Sequence, residues 1–292
     1  MSAFSRIAKR FLSYLLIPVI FLYLVSIVDL EAAFATYSNT NPTLIVLAFS
    51  LSFLYPLVGA ARWKAVLFAF DERLSIRRAL NDVMIAFSAN LLLPAKAGDF
   101  IKVFVTDADT ARSRLASGVV AERMGDIAAL ALLIVLGGLL MGNNLFIGIG
   151  LTMLLGFAML IIIVSSRYSA MENKFNFKIL KIVFDSLLLW RLKTKNLLYA
   201  FAWSIVNWLI GSMQVWLLFS SMDLIISLEA VLANFPFTVL ISTVPLTPGG
   251  IGVRESAYAY VFQPYSDVHI SITVGLIYYL FSTGFLAVLG SI

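Results

Sequence analysis

The chain has no cysteine, a single histidine and few charges: only 13% of its 292 residues are Asp, Glu, Lys or Arg. Soluble domains carry about 25%, so an ordinary soluble globule is excluded. Without cysteine there can be no disulfides, thiol nucleophiles, thiolate zinc sites or iron–sulfur clusters. With His269 alone, a histidine metal cluster or a Ser-His-Asp triad has no room. No metal or cofactor is therefore expected. The sequence also lacks a Gly-x-x-x-x-Gly-Lys-Ser/Thr loop for ATP, a Gly-x-Gly-x-x-Gly after a strand pattern, a nucleophile elbow and a His-Glu-x-x-His. Any transport would have to be passive, or driven by an ion gradient or the membrane potential.

What is abundant is apolar: 61% of residues, with a mean hydropathy of +0.96. Runs at 11–28, 42–61, about 118–141, 145–164, 197–220 and about 268–292 are each long enough to cross a hydrocarbon core about 30 Å thick. The net charge of +5, with 23 Phe, 11 Tyr and 5 Trp, suits an anionic lipid surface and not nucleic acid. The first run exceeds the 7–15 residues of a signal-peptide core, and Asp29 and Glu31 precede any cleavage site at Ala33-Phe34-Ala35. A retained first helix is expected. Lys and Arg cluster before residue 11, at 62–78 and at 167–195, so these segments should face the cytoplasm of a cell (inner or plasma) membrane protein with a cytoplasmic N-terminus. The turn at Gly142 and the segment near Asp223 should face outward.

Two apolar segments are too interrupted to cross. Residues 83–93 run into Pro94–Gly98 and resume at 100–105, with basic residues on both sides. Residues 230–246 run into Pro245, Pro248, Gly249, Gly250 and Gly252, and resume at 256–262. Aligned without gaps at an offset of 154, Ser88, Leu92, Pro94 and Gly98 sit over Ser242, Leu246, Pro248 and Gly252. The expected architecture is thus an all-α polytopic membrane protein of about six full transmembrane helices plus two Pro/Gly-broken re-entrant helical hairpins. These form an inverted repeat within a single domain, its halves about 1–142 and 143–292. Paired broken helices of this kind point to a midplane binding site, because irregular backbone survives at membrane depth only where protein or a wet cavity satisfies it. Two kinked structural helices without a cavity are the alternative.

The breaks carry charge. Lys96, Asp99 and Lys102 lie at or beyond the first, and Arg254 and Glu255 at the second. Each ionised group costs about 2.5–3.5 kcal/mol at the centre of an inserting helix, so five would cost roughly 12–17 kcal/mol if unshielded. They must be paired, hydrated or nearer the interface. Three cations and two carboxylates would suit an anionic or zwitterionic head group, and Gly249, Gly250 and Gly252 would let backbone amides approach a phosphate. Glu122 and Asp126 share a helix face, where two carboxylates repel unless one is protonated or a cation such as Arg123 or Arg62 holds them. They form either a proton- or ion-coupling site or a boundary ion-pair cluster. Arg62-Trp63-Lys64 reads equally as a phosphate clamp or an interfacial anchor. Asn90, Asn207 and Gln214 suit interhelical hydrogen bonds. Residues 174–195 read as an amphipathic helix on an anionic leaflet, and Gly138 with Gly142 as a small-xxx-small packing motif.

The ordered set Arg62-Trp63; Asn90…Pro94-x-Lys96-x-Gly98-Asp99-x-x-Lys102; Glu122-Arg123-x-x-Asp126; and Pro248-Gly249-Gly250-Ile251-Gly252-x-x-Glu255 resembles the transmembrane-region family of lysylphosphatidylglycerol synthases, also called flippase-like. The resemblance covers nearly the whole chain. It implies a protein that moves or handles a polar-headed lipid, with Arg62, Asn90, Lys96, Gly98, Asp99, Lys102, Glu122, Arg123, Asp126, Gly249, Gly250, Gly252, Arg254 and Glu255 lining the pathway. Lys96, Asp99 and Lys102 stand where Arg, Glu and Arg are more usual, which keeps charge but loses bidentate geometry at the cations. The synthases carry a soluble aminoacyltransferase domain after the membrane part. This chain ends at Ile292 and is not expected to make lysyl-phosphatidylglycerol. The expected partners are membrane lipids, anionic or of polyprenyl-phosphate type, with a homodimer possible. The expected activity is ATP-independent lipid translocation. The alternatives are a membrane-embedded head-group transferase or hydrolase, or a non-catalytic partner of a glycosyltransferase.

Overall fold

Residues 40–171, 178–243 and 253–291 are described by the computed structural model, and among them every regular element is helical. α1 (Pro42–Leu51) starts with Pro after the Asn41 side-chain cap and runs almost without a break into α2 (Leu54–Phe68). α3 (Ile76–Leu92) leads through a 3₁₀ turn (Pro94–Ile101) to the single turn α4 (Lys102–Val105). α5 (Arg112–Met141) and α6 (Asn144–Met171) form an antiparallel pair. α7 (Lys178–Leu192), α8 (Thr194–Ser221), α9 (Leu228–Ser242) and α10 (Val253–Val261) follow. α11 (Val268–Tyr279) passes through a π-helical turn at Leu280–Gly284 into α12 (Phe285–Ser291).

Among the described residues, five continuous stretches are long and apolar enough to cross a membrane: Pro42–Phe68, Arg112–Met141, Asn144–Val164, Thr194–Ser221 and Val268–Ser291. They match five of the six expected spans. The sixth, at 11–28, lies outside the described residues, as do Pro248, Gly249, Gly250 and Gly252. At 1.5 Å per residue, α3 and α9 extend roughly 25 and 22 Å, short of the hydrocarbon core.

The same connector occurs twice at an offset of 152. After α2, Asp71 takes a left-handed conformation (φ 64°) and the Glu72 amide donates to the Leu67 carbonyl. After α8, Asp223 does the same (φ 56°) and the Leu224 amide donates to the Phe219 carbonyl. Each is a helix stop in which an αL residue satisfies orphan carbonyls. Four residues later Ser75 and Ser227 cap α3 and α9, each accepting from the amide three residues on. Buried Leu74 and Ile226 precede them.

Tertiary contacts repeat too. The Asn41 amide donates to the Ser221 carbonyl at 2.8 Å, so α1 begins where α8 ends. At the other end, Asn196 donates to the Phe68 carbonyl at 3.0 Å and Lys193 meets Asp71 at 3.3 Å. The α1–α2 rod and α8 are therefore antiparallel neighbours. Gly137 of α5 lies against the Ala233 backbone of α9, and Gly290 of α12 against the Met84 carbonyl of α3. A Cβ at either glycine would enter the facing backbone. Gly137→Leu and Gly290→Leu should each overpack by about 1–3 kcal/mol, seen as a lowered unfolding midpoint in detergent. An unchanged midpoint would mean these helices separate freely.

Two sequence readings change. α7 is not simply a surface helix, because Trp190 and Leu187 are buried and the Trp190 indole donates to the Ala121 carbonyl at 3.2 Å, docking the apolar face of α7 on α5. Of the two glycines in the small-xxx-small pair, only Gly138 packs, against Phe146 and Ile147. Gly142 faces open space and closes α5 with φ 64°.

Candidate functional site

α3 stops because Leu93, preceding Pro94, goes extended (φ −109°, ψ 138°). The chain then folds back. Lys96 takes φ 56°, a conformation that costs a non-glycine residue, and Gly98 presses so closely on the Ala89–Asn90 backbone that no Cβ fits. This turn delivers Asp99 next to Asn90, whose amide donates to its carboxylate at 3.0 Å, and carries Lys102 into the core.

Around the turn, three cations and three carboxylates interlock. Arg62 of α2 bridges Glu122 (2.7 Å) and Asp126 (2.6 Å) of α5. Lys102 meets the second Glu122 oxygen at 2.6 Å, with its ammonium 4.5 Å over the Trp63 ring. Arg123 reaches Asp99 at 3.0 Å and Asp126 at 2.8 Å. Arg62, Asp99, Lys102, Glu122 and Asp126 are all buried. Repulsion between Glu122 and Asp126 is thus relieved by a shared guanidinium. Trp63 is fully buried and donates to the Thr106 hydroxyl at 3.2 Å, which donates to Asp82 at 2.8 Å, so it is no interfacial anchor.

From the second half, α10 contributes Arg254 and Glu255, both buried and paired at 2.5 Å. The Arg254 guanidinium stacks 3.6 Å over the Tyr279 ring. Lys96 sits 4.7 Å over the Trp208 ring of α8 and makes no ion pair among the described residues.

Between these groups lies a partly open cavity of about 150 Å³, where a water needs about 10–15 Å³ on this measure. Arg62, Asn90, Lys96, Asp99, Lys102, Glu122, Arg123, Asp126 and Arg254 line it. Asp99 and Arg254, from different halves, therefore share a chamber. Gly98 and Glu255 are buried, and neither lines the cavity. Asn207 lines it as well, whereas Gln214 ties helices together, accepting from Tyr55 at 2.9 Å and donating to the Ala48 carbonyl at 2.8 Å.

Sequence reasoning missed the aromatic wall. Tyr55, Trp208, Tyr258, Tyr278 and Tyr279 all line the cavity, and the hint was tyrosine recurring inside otherwise apolar spans. Among the described residues, the buried side-chain atoms without a hydrogen-bond partner are Arg62 Nε, Arg123 Nε, Trp208 Nε1, Arg254 Nε and the Tyr258 hydroxyl, with the acceptors Asn90 Oδ1, Asp99 Oδ2 and Asp126 Oδ2. Arg62 Nε, Asp99 Oδ2 and Asp126 Oδ2 nonetheless lie within ion-pair distance of a partner. Among the described residues no group of three acidic or histidine side chains is placed to hold a metal ion.

Residues 10–290 match the sequence profile of the family described as the lysylphosphatidylglycerol synthase TM region. The chain is also similar to a UPF0104 membrane protein of Methanocaldococcus jannaschii, with 22% identity over 286 residues covering 87% of this chain and 85% of that protein.

Proposed function

This chain belongs to the lysylphosphatidylglycerol synthase transmembrane-region family, and from that premise we propose that this multi-pass membrane protein is a lipid translocase. It moves a polar-headed, phosphate-bearing lipid across the cell membrane without ATP, holding the head group in the polar cavity while the tails stay in the bilayer. One observation carries this reading: a chamber inside an apolar helical bundle is lined by ionisable side chains from both halves of the chain. Such residues within membrane proteins mark substrate or ion pathways.

In this reading, 76–105 and 228–261 are re-entrant hairpins and the halves are an inverted repeat. The repeated connector and the antiparallel pairing of α2 with α8 support it, as does the reciprocal packing of each half's last span on the other half's broken helix. A two-fold axis in the membrane plane relates contacts in this way. The basic segments face the cytoplasm, with the N-terminus on that side.

Purified protein in liposomes should accelerate exchange of a tail-labelled anionic phospholipid between leaflets. Asp99→Asn and Arg254→Ala should slow that exchange at least tenfold while eluting from gel filtration as the native protein does. Exchange at the rate of empty liposomes would sink the proposal, and full activity in both folded variants would remove the cavity from the pathway.

A further inference from the structure

The two walls of the cavity differ in chemistry. Among the described residues that line it, every Asp, Glu, Lys and Arg but one comes from the first half of the chain, the exception being Arg254. The wall from the second half is otherwise uncharged, made of hydroxyls, aromatic rings and the Asn207 amide. Asn207 stands at the middle of α8, one turn from buried Ser204 and buried Gly211. The interhelical hydrogen bond expected of it is not made to any described residue. Its side chain is half-buried, and both polar atoms of the amide keep accessible surface. Thr283 is a second such group. Thr152, Thr238, Thr243 and Thr273 return their hydroxyls to helix carbonyls three or four residues back. Thr283 lies in the π-helical turn Leu280–Gly284, is half-buried on the cavity and makes no such bond. π turns recur at functional sites. An amide and a hydroxyl at membrane depth are costly unless water or a ligand takes them up.

We propose that Asn207 and Thr283 read the hydroxyls of an uncharged polyol attached beyond the phosphate, so that the cavity selects lipids whose head group ends in a sugar, inositol or glycerol. A hydroxyl donates and accepts at once, and the Asn207 amide offers both kinds of partner. A site built to hydrogen-bond a hydroxyl rejects an analogue without one, because its own polar groups are then left unpaired. A cationic head group fits this wall less well. Lys96 already lies 4.7 Å over the Trp208 ring and Arg254 3.6 Å over the Tyr279 ring, so an ammonium would meet like charge at both. The assignment takes the cavity as the head-group site, as the translocase reading does, but its binding test needs no movement of lipid.

The experiment measures equilibrium binding of short-chain phosphatidylinositol, phosphatidylglycerol, phosphatidylethanol and phosphatidylcholine to detergent-solubilised protein, alongside exchange of their tail-labelled forms in liposomes. Phosphatidylethanol carries the same single charge as the two polyol lipids and no free hydroxyl, so charge is held constant. The wild-type chain should bind both polyol lipids at least tenfold more tightly than the other two. Binding of one polyol lipid without the other would fix the size of the polyol and keep the subsite. Asn207→Leu should weaken the polyol lipids about tenfold and Thr283→Val about fivefold, leaving phosphatidylethanol unchanged. Neither side chain ties described parts of the fold together, so neither variant should unfold at a lower midpoint. Selective binding without exchange between leaflets would support the subsite and sink translocation. Equal affinity for phosphatidylethanol and the polyol lipids would overturn the subsite, as would tight binding of phosphatidylcholine or variants that keep the wild-type preference. A lowered midpoint with equal loss of every lipid would do the same, by reducing Asn207 and Thr283 to a structural role.

Discussion

Replacing Glu122 with leucine should destabilise the protein by about 3–5 kcal/mol, the cost of leaving a buried cation without its partner. Glu122 is the least replaceable member of the network because its two oxygens serve two elements, Arg62 of α2 at 2.7 Å and Lys102 of α4 at 2.6 Å. Arg62 would keep Asp126. Lys102 would lose its one ion pair within 4 Å among the described residues and keep the face of Trp63, and it is among their largest fully buried side chains. A cation–π contact of about 2 kcal/mol when desolvated does not replace a charge-assisted hydrogen bond and a counter-ion. The same logic makes the loss reversible. In the double variant Glu122→Leu with Lys102→Met both charges leave together, and apolar replacement of a buried pair is often neutral or stabilising. A double-mutant cycle on unfolding in detergent should therefore give a coupling energy above about 1 kcal/mol. Additive losses would mean that Lys102 and Glu122 do not depend on each other, and the turn would need another anchor.

That network also shows how far the sequence could be read. Periodicity and length revealed the spans because burial in lipid demands long uncharged runs, and the five of those runs that lie among the described residues survive as helices. Arg62, Asn90, Lys96, Asp99, Lys102, Glu122, Arg123, Asp126 and Arg254, which line one cavity, were legible as a candidate cluster because charge in an apolar helix is costly enough to need a reason. Their partners were not legible. Which cation reaches which carboxylate depends on helix rotation and on the reversal at Lys96, neither of which the letters encode. Trp63 reads as an interfacial residue by type, yet it is fully buried, because a ring beneath Lys102 has to be dry. The aromatic wall escaped for a related reason: tyrosine in an apolar span looks like core until its neighbours are placed. The proposed repeat was suggested in the letters by the Pro94/Pro248 offset of 154, and stronger support for it is Asp-x-x-x-Ser at 71–75 and 223–227, offset 152. Those residues are ordinary in loops, and only their shared backbone conformation and caps give them weight.

Those two aspartates supply the sharpest test of the architecture. In an otherwise cysteine-free chain, Asp71→Cys and Asp223→Cys should be labelled by a membrane-impermeant maleimide from opposite sides of the membrane, the first from the cytoplasm and the second from outside. The effect is all-or-none and has no background, because the parent protein has no thiol. Both positions are exposed corners directly after a span. Parity gives the measurement its force. Between them lie three helices able to cross, α5, α6 and α8, and one broken segment, 76–105. Three crossings put the two residues on opposite sides only if the broken segment leaves by the face it entered, and a fourth crossing would return them to the same side. The corner contacts argue for three: Lys193 lies 3.3 Å from Asp71, so α8 starts beside Asp71 and crosses the whole bundle before reaching Asp223. Opposite labelling would make the two Asp-x-x-x-Ser connectors mates across an axis in the membrane plane. The cavity between their hairpins would then face the two leaflets in equivalent ways, the symmetry that alternating access requires. Labelling of both from one side would leave the 152-residue repeat as a parallel duplication, with no such axis through the charged chamber.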